Sequence, residues 1–489
     1  MRNALMRAGR FTGSRGVGGS TRIRPAGPGG RRQSRLALPL LVAMPLVGVG
    51  AGSADAQVGD ALRNPAESLV SFWAGLGDAT LTRLIEDALG ANPNLKAAEA
   101  RIDGARAART EAALDLAPVV TASSGYSIQR LSSVAVPGAG GSLPGQDIWD
   151  AGVQMSWELD VFGRGRRTLQ GRNAVIGAAE EGARDLEVVL SAEVALEYFD
   201  LRGTEERLVV AQQNAENQRR SLEVTRERLE AGRGTALDTD RAQAQLSGTL
   251  AVIPLLETAV ASGQYRLASL LGQSAATLDI EPAANAALPT LPEVGGTVDP
   301  EASLGQRADV RGAERQLAAH SAFASAARAE YLPRVSIGGT AGVTAHAFDS
   351  LGNSGTPRYA VGPVISWPLL DLGRVKANVD AARASEVEAA AQYQYTILNA
   401  VEEMETSVVA YTNARERLRH LEDAAAASER ATDLARLRYE EGATGFLDVL
   451  DAERTQLEAQ DRLALGRAEA TAALVAVYRA MGGRWPGGR

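Results

Sequence analysis

The stretch YEEGATGFLDVLDAE, Tyr439 to Glu453, lies in a Pro-free, Ala-rich region that otherwise reads as one long helix. A Gly-bounded break interrupts it, and LDVLD follows at once with two carboxylates three residues apart. A near copy, LEAGRGTALDTDRAQ, stands 210 residues earlier at Leu229 to Gln243. Glycine supplies the positive φ that ends a helix and turns the chain. The acids Asp238, Asp448 and Asp451 open the returning helices, where the helix dipole favours negative charge. Each stretch therefore reads as the tip of a helical hairpin.

The duplication extends far beyond these tips. Ser156-Trp157-x-Leu159 returns as Ser366-Trp367-x-Leu369, Gly163-Arg164 as Gly373-Arg374, and Arg226-x-Arg228 as Arg436-x-Arg438, all at the same offset of 210. Earlier in each half the offset is 215, with Ala98-Glu99 matching Ala313-Glu314 and Pro118 matching Pro333. The extra residues fall between Pro118 and Trp157, where the first copy carries the turn-rich VPGAGGSLPGQ, Val136 to Gln146. This divides the chain into a repeat over 93–285, a linker over 286–307 and a second repeat over 308–489, preceded by a segment over 57–92.

Each repeat opens with a helix, expected over Pro93 to Ala117 and Ala308 to Leu332, stopped by a proline. Two strands follow. Trp149, Ala151, Val153, Met155, Trp157 and Leu159 alternate with Asp150, Gly152, Gln154, Ser156 and Glu158. Val335, Ile337, Gly339, Ala341 and Val343 alternate with small polar residues, and Tyr359, Val361, Ile365 and Trp367 share one face of the next segment. Period-two alternation separates an apolar face from a polar one. About ten residues is the length of a strand that crosses a bilayer at a tilt, and Trp149, Trp157, Tyr359 and Trp367 are placed as an interfacial girdle. Four strands are too few to close a barrel, and an open edge cannot face lipid. Several copies must pool their strands, and three would supply twelve. After each strand pair comes a Pro-free stretch. From Arg164 to Leu229 it would span about 100 Å as helix, projecting far from the bilayer.

The N-terminus differs from the rest. Residues 1–35 hold nine Arg and no acid, followed by the apolar LALPLLVAMPLVGVGAG (Leu36 to Gly52) and Ala54-Asp55-Ala56 before Gln57. This pattern is a secretory signal peptide over 1–56. Arg31-Arg32 is read as part of its basic region, with a twin-arginine signal as the alternative. Removing it takes nine Arg and one Asp from a chain of net charge −8, leaving −16. That balance disfavours a nucleic-acid partner. There is no cysteine, which excludes disulfides, thiolate metal sites and a lipidated N-terminal Cys. The three histidines have no ligand-like neighbours. No P-loop, nucleophile elbow or His/carboxylate cluster is found, so neither cofactor nor enzymatic activity is expected.

Taken together, WELDVFGRGRR (Trp157 to Arg167), EYFDLRG (Glu197 to Gly203), RADVRGAERQLAA (Arg307 to Ala319), ISWPLLDLGRVKANVDAARA (Ile365 to Ala384), RYEEG, FLDVLDAERTQLEAQD (Phe446 to Asp461) and MGGRW resemble the TolC-type outer-membrane efflux channels. The likeness is to the NodT-like outer-membrane factors of resistance-nodulation-division export systems, and it covers nearly the whole chain after the signal. It implies a mainly α fold with a transmembrane β-barrel, a homotrimer of twelve strands in outer-membrane lipid with a periplasmic helical tunnel. The implied function is that of a passive conduit in a Gram-negative outer membrane. The implied partners are a periplasmic adaptor, or membrane fusion protein, and an inner-membrane pump. The resemblance assigns the aperture to Asp448 and Asp451, with Arg438 and Tyr439 locking it, Leu447 as an apolar constriction and Asp238 as the first-repeat equivalent of Asp448. Arg438 is expected to relieve the charge of Asp451. It assigns the adaptor-docking tips to Gly232, Arg233 and Gly234 and to Gly442, Ala443 and Thr444. Gln57 stands where many members carry a lipidated Cys. A second reading, a coiled-coil periplasmic adaptor, accounts for the helices but not for the repeated Trp-bearing strands.

Overall fold

The computed structural model describes residues 63–132, 144–274, 289, 291–293 and 303–485. The export segment, most of the Val136–Gln146 loop and most of the inter-repeat linker lie outside these residues. Among the described residues three helices precede the sheet: α1 (Arg63–Ala74), α2 (Ala79–Ala91) and α3 (Pro93–Leu114). Strands β1 (Val119–Gln129) and β2 (Gln146–Leu159) lead into α4 (Arg164–Glu230) and α5 (Ala236–Leu270). The second half repeats this order as α6 (Ala308–Arg328), β3 (Arg334–Ala345), β4 (Pro357–Ser366), α7 (Leu372–Glu440) and α8 (Phe446–Ala480).

The opening helices stop short of their prolines. After Leu114 the chain tightens into a turn, with Leu116 and Ala117 donating to Ala113 and Leu114. After Arg328 a 3-10 turn covers Ala329–Tyr331. The residue before a proline is pushed out of helical conformation, so the break begins upstream of the ring itself. Helices α4 and α7 are 67 and 69 residues long, which at 1.5 Å per residue is about 100 Å each.

The four strands form one antiparallel sheet in the order β1-β2-β3-β4. Tyr126 pairs with Trp149, Val153 with Ala341, Trp157 with Ile337 and Ala341 with Tyr359, which puts the apolar residues of all four strands on one face. The other face carries Ser123, Asp150, Gln154, Ser156, Thr340, Thr344 and Arg358, with Val119, Ile148 and Val364 as its large apolar exceptions.

Helix neighbours follow a matching order at two levels. Nearer the sheet the sequence of contacts is α3-α4-α6-α7, and beyond it α5-α4-α8-α7. The seams are close because the side chains are small. At Gly203 of α4 an added Cβ would lie 2.8 Å from the Cβ of Ala468 on α8. A larger residue there would force the helices apart.

Aromatics are only 4% of the sequence, which disfavours a thick core, yet residues 63–92 help to build one. Trp73, Leu81, Leu84 and Ile85 of α1 and α2 pack against Val194, Tyr198, Phe199, Val475 and Tyr478 of α4 and α8. Phe72 stacks on Tyr478 at 4.6 Å and on Trp485 at 5.5 Å. This layer sits where α8 ends and α6 begins.

Candidate functional site

Both hairpin tips close with the same backbone motif. Gly232 has φ +66° and Gly442 φ +80°, a conformation that L side chains resist. The amides of Gly232 and Arg233 donate to the carbonyls of Leu229 and Arg228, and those of Gly442 and Ala443 to Tyr439 and Arg438. These paired bonds satisfy carbonyls that the helix end would leave open. Gly232, Arg233, Gly442 and Ala443 are exposed, and Gly234 and Thr444 partly so.

The returning helices begin differently. In the first, the Thr235 hydroxyl accepts from the Asp238 amide at 3.2 Å and donates to its carboxylate at 2.7 Å. Asp238 is therefore engaged in an N-cap. In the second, the cap position is Gly445, which has no side chain to offer. Phe446 instead is buried against Tyr439, ring centroids 5.5 Å apart, in a cluster with Val449, Leu222 and Leu246 that joins both hairpins.

Leu447, Asp448 and Asp451 are exposed together at the start of α8. Within the protomer Asp451 pairs with Arg454 at 2.8 Å, one turn along its own helix, where i,i+3 neighbours share a face. Arg438 is exposed. Tyr439 is buried, and the group that grips it is Arg228, whose guanidinium lies 4.0 Å from the ring centroid. Arg228 also donates to the carbonyls of Tyr439 and Glu440 at 2.6 and 3.0 Å. A cation on a helix C-terminus and on an aromatic face is favoured twice over. Arg228 is the first-repeat counterpart of Arg438, and the repeated Arg-x-Arg in the last turn was the signal that could have found it.

Sequence reasoning also passed over Glu453. Its side chain is only 3% exposed, and it accepts from Arg436 at 2.9 and 3.1 Å and from Ser221 of α4 at 2.5 Å. In the first repeat the equivalent bond runs from Arg226 to Gln243 at 3.1 Å. One hairpin therefore carries a buried charge pair where the other sets an arginine on a neutral acceptor. Leu237, the counterpart of Leu447, is likewise exposed.

At the sheet, the Trp157 indole donates to the Leu116 carbonyl at 2.9 Å and Trp367 to the Tyr331 carbonyl at 3.0 Å. Trp367 lies one residue beyond β4. The two bonds are repeat equivalents and tie each strand to the end of the preceding helix. Trp149 is at the opposite end of its strand, flanked by the tilted ring of Tyr126 at 4.5 Å and by Phe348 edge-on at 5.1 Å. Tyr359 is 86% exposed, and Ile128, Val361 and Ile365 are also bare. Such an apolar face demands lipid or a partner. The polar face is cross-linked instead, with Asp150 accepting from Arg358 at 2.6 Å and from Thr344 at 2.8 Å.

Comparison with known proteins gives the same picture. The family model "Outer membrane efflux protein" matches residues 84–273 and 300–483. The pyoverdine export outer membrane protein OpmQ of Pseudomonas putida is 31% identical over 418 residues, 85% of this chain and 88% of its own. Nodulation protein T of Rhizobium leguminosarum bv. trifolii is 27% identical over 401 residues, 81% of this chain and 84% of its own. Among solved structures, the outer-membrane channel OprN is 38% identical, with a TM-score of 0.80, covering 85% of this chain and 92% of that one. With both repeats matched and the strands, hairpins and tips in the family's order, the chain belongs to the outer membrane efflux protein family.

Proposed function

We propose that three copies of this chain form the outer-membrane channel of a tripartite efflux system in a Gram-negative bacterium, after residues 1–56 have directed export. The observation that carries this is the coincidence of free edges. β1 and β4 leave the sheet open, α3 and α7 are the outer members of the upper helix layer, and α5 and α7 of the lower. One side of the protomer thus ends in β1, α3 and α5, and the other in β4 and α7. Head-to-tail association would join both edges at all levels and close a twelve-stranded ring. Leu250, Val252, Leu255 and Tyr265 of α5 and Tyr395, Leu398 and Val409 of α7 are exposed apolar side chains at those edges.

The conduit does no chemistry. A periplasmic adaptor engages the tips around Gly232–Gly234 and Gly442–Thr444, and an inner-membrane resistance-nodulation-division pump supplies the energy. The aperture is a three-fold ring of Asp448 and Asp451 above alternating Leu447 and Leu237. Arg228 holds the first hairpin to the second within a protomer. Arg438 does the equivalent across the seam, on the last-turn carbonyls of the next copy. Docking of the adaptor opens the tip by exchanging these contacts for its own.

The test is the mature protein in planar bilayers. It should run as a heat-modifiable trimer and conduct with a preference for cations, and Asp451→Ala should weaken that preference. A water-soluble monomer would remove the channel reading, and an unchanged permeability ratio in the variant would remove Asp451 from the aperture.

A further inference from the structure

We infer that each protomer carries, on the lumen side of the level where α8 gives way to α6, a recess that takes organic cations with an apolar body. This rests on the channel reading for its exposure to the lumen. The recess has a volume of about 620 Å³ and lies between α4, α7 and α8, within the range of small-molecule sites. It is on the opposite side of α8 from the α1–α2 layer. Leu474, Val477, Tyr478 and Met481 turn toward Phe72, Trp73 and Trp485, whereas Ala472, Ala476 and Arg479 line the recess. In a ring one helix thick, an added layer belongs outside the bore, so the recess faces inward.

Its chemistry is sharply divided. Leu196, Val475 and several alanines give an apolar wall without bulky side chains. Three carboxylates stand around it, from Glu193, Glu402 and Glu403. Glu403 is already matched by Arg307 at 2.8 Å and, more distantly, by Arg479 at 3.8 Å. Glu193 and Glu402 pair with no cation among the described residues. The recess therefore combines an apolar surface with uncompensated negative charge, which suits an amine-bearing amphiphile and repels an anion. The carboxylates are open to water, so the attraction is modest. Modest affinity is what a conduit requires, since cargo must leave as well as enter. Three such recesses would form a belt of way stations partway along the tunnel.

The experiment uses the full mature trimer in phosphatidylcholine nanodiscs and the cationic dye rhodamine 6G, read by fluorescence polarisation against empty discs, with anionic fluorescein as the counter-probe. Rhodamine 6G should bind saturably and fluorescein should not. The double variant Glu193→Gln with Glu402→Gln should weaken rhodamine binding about tenfold. Ala476→Trp, which fills the recess, should abolish it, and trimer mass and heat-modifiable mobility verify that each variant is folded. Equal binding of the two dyes, or a folded glutamine variant that binds rhodamine as before, overturns the inference. Carboxylate-dependent binding by a protein that does not conduct would keep the recess and remove the channel reading.

Discussion

The two hairpin tips are one design executed in two chemistries. Both turn through a left-handed glycine with the same pair of backbone bonds. The first then restarts its helix with a polar cap, Thr235 on Asp238. The second has no cap and relies on Phe446 and Tyr439 buried against the neighbouring hairpin. One turn above, Arg226 meets Gln243 within the first hairpin and Arg436 meets Glu453 within the second, but only Glu453 also takes a bond from the neighbouring hairpin, from Ser221. The first tip is thus held by bonds within itself, and the second by contacts with its neighbour. A tip of the second kind loses its support when the neighbour moves, which is the property an opening element needs.

The sharpest way to break this comparison is Glu453→Ala. It strands Arg436 and removes the acceptor for Ser221, and should cost about 3 kcal/mol of local stability. Hydrogen exchange should show faster opening of the second tip and little change in the first. Arg228→Ala comes next. It removes two charge-assisted bonds to carbonyls and a cation–π contact, about 2 kcal/mol. Raised resting conductance in planar bilayers is the expected outcome. If Arg438→Ala raises it equally, the seams within and between copies are equivalent. The smallest effects come from exchanging the caps. Thr235→Ala should cost about 1 kcal/mol. Gly445→Ser should add roughly a few tenths of a kcal/mol, because Gly445 has φ −78° and ψ 162°, as a cap requires, and open space around a new Cβ. Thermal melts of the two variants should shift in opposite directions. A Gly445→Ser protein that resists opening by its adaptor would tie the missing cap to function.

Much of the fold was legible because duplication makes sequence speak twice. The 210-residue offset aligned strands, long helices and tips, and two-residue alternation gave the two faces of the sheet that pairing places opposite each other. The helices α1 and α2 were illegible by the same logic, since they have no second copy and their burial depends on Tyr198 and Tyr478, far away in the chain. At the tip, motif likeness pointed to Asp448 and Asp451, both exposed, and passed over the acid that is buried. The signal for Glu453 was its place on the stripe Phe446, Val449, Glu453, Gln456, all buried at helical spacing. An acid on an apolar stripe needs a partner. Arg228 and Arg438 are alike in sequence because the repeats share the Arg-x-Arg, and only the fold sets Arg228 on Tyr439.

The indole bonds from Trp157 and Trp367 to the ends of the preceding helices bear on how far movement can travel. Each fastens a strand's inner end to the turn that follows its incoming helix, and three copies would supply six such rivets around the collar. A twist started at the distal tips would be resisted there, leaving the membrane-embedded cylinder as a stationary abutment against which the long levers bend.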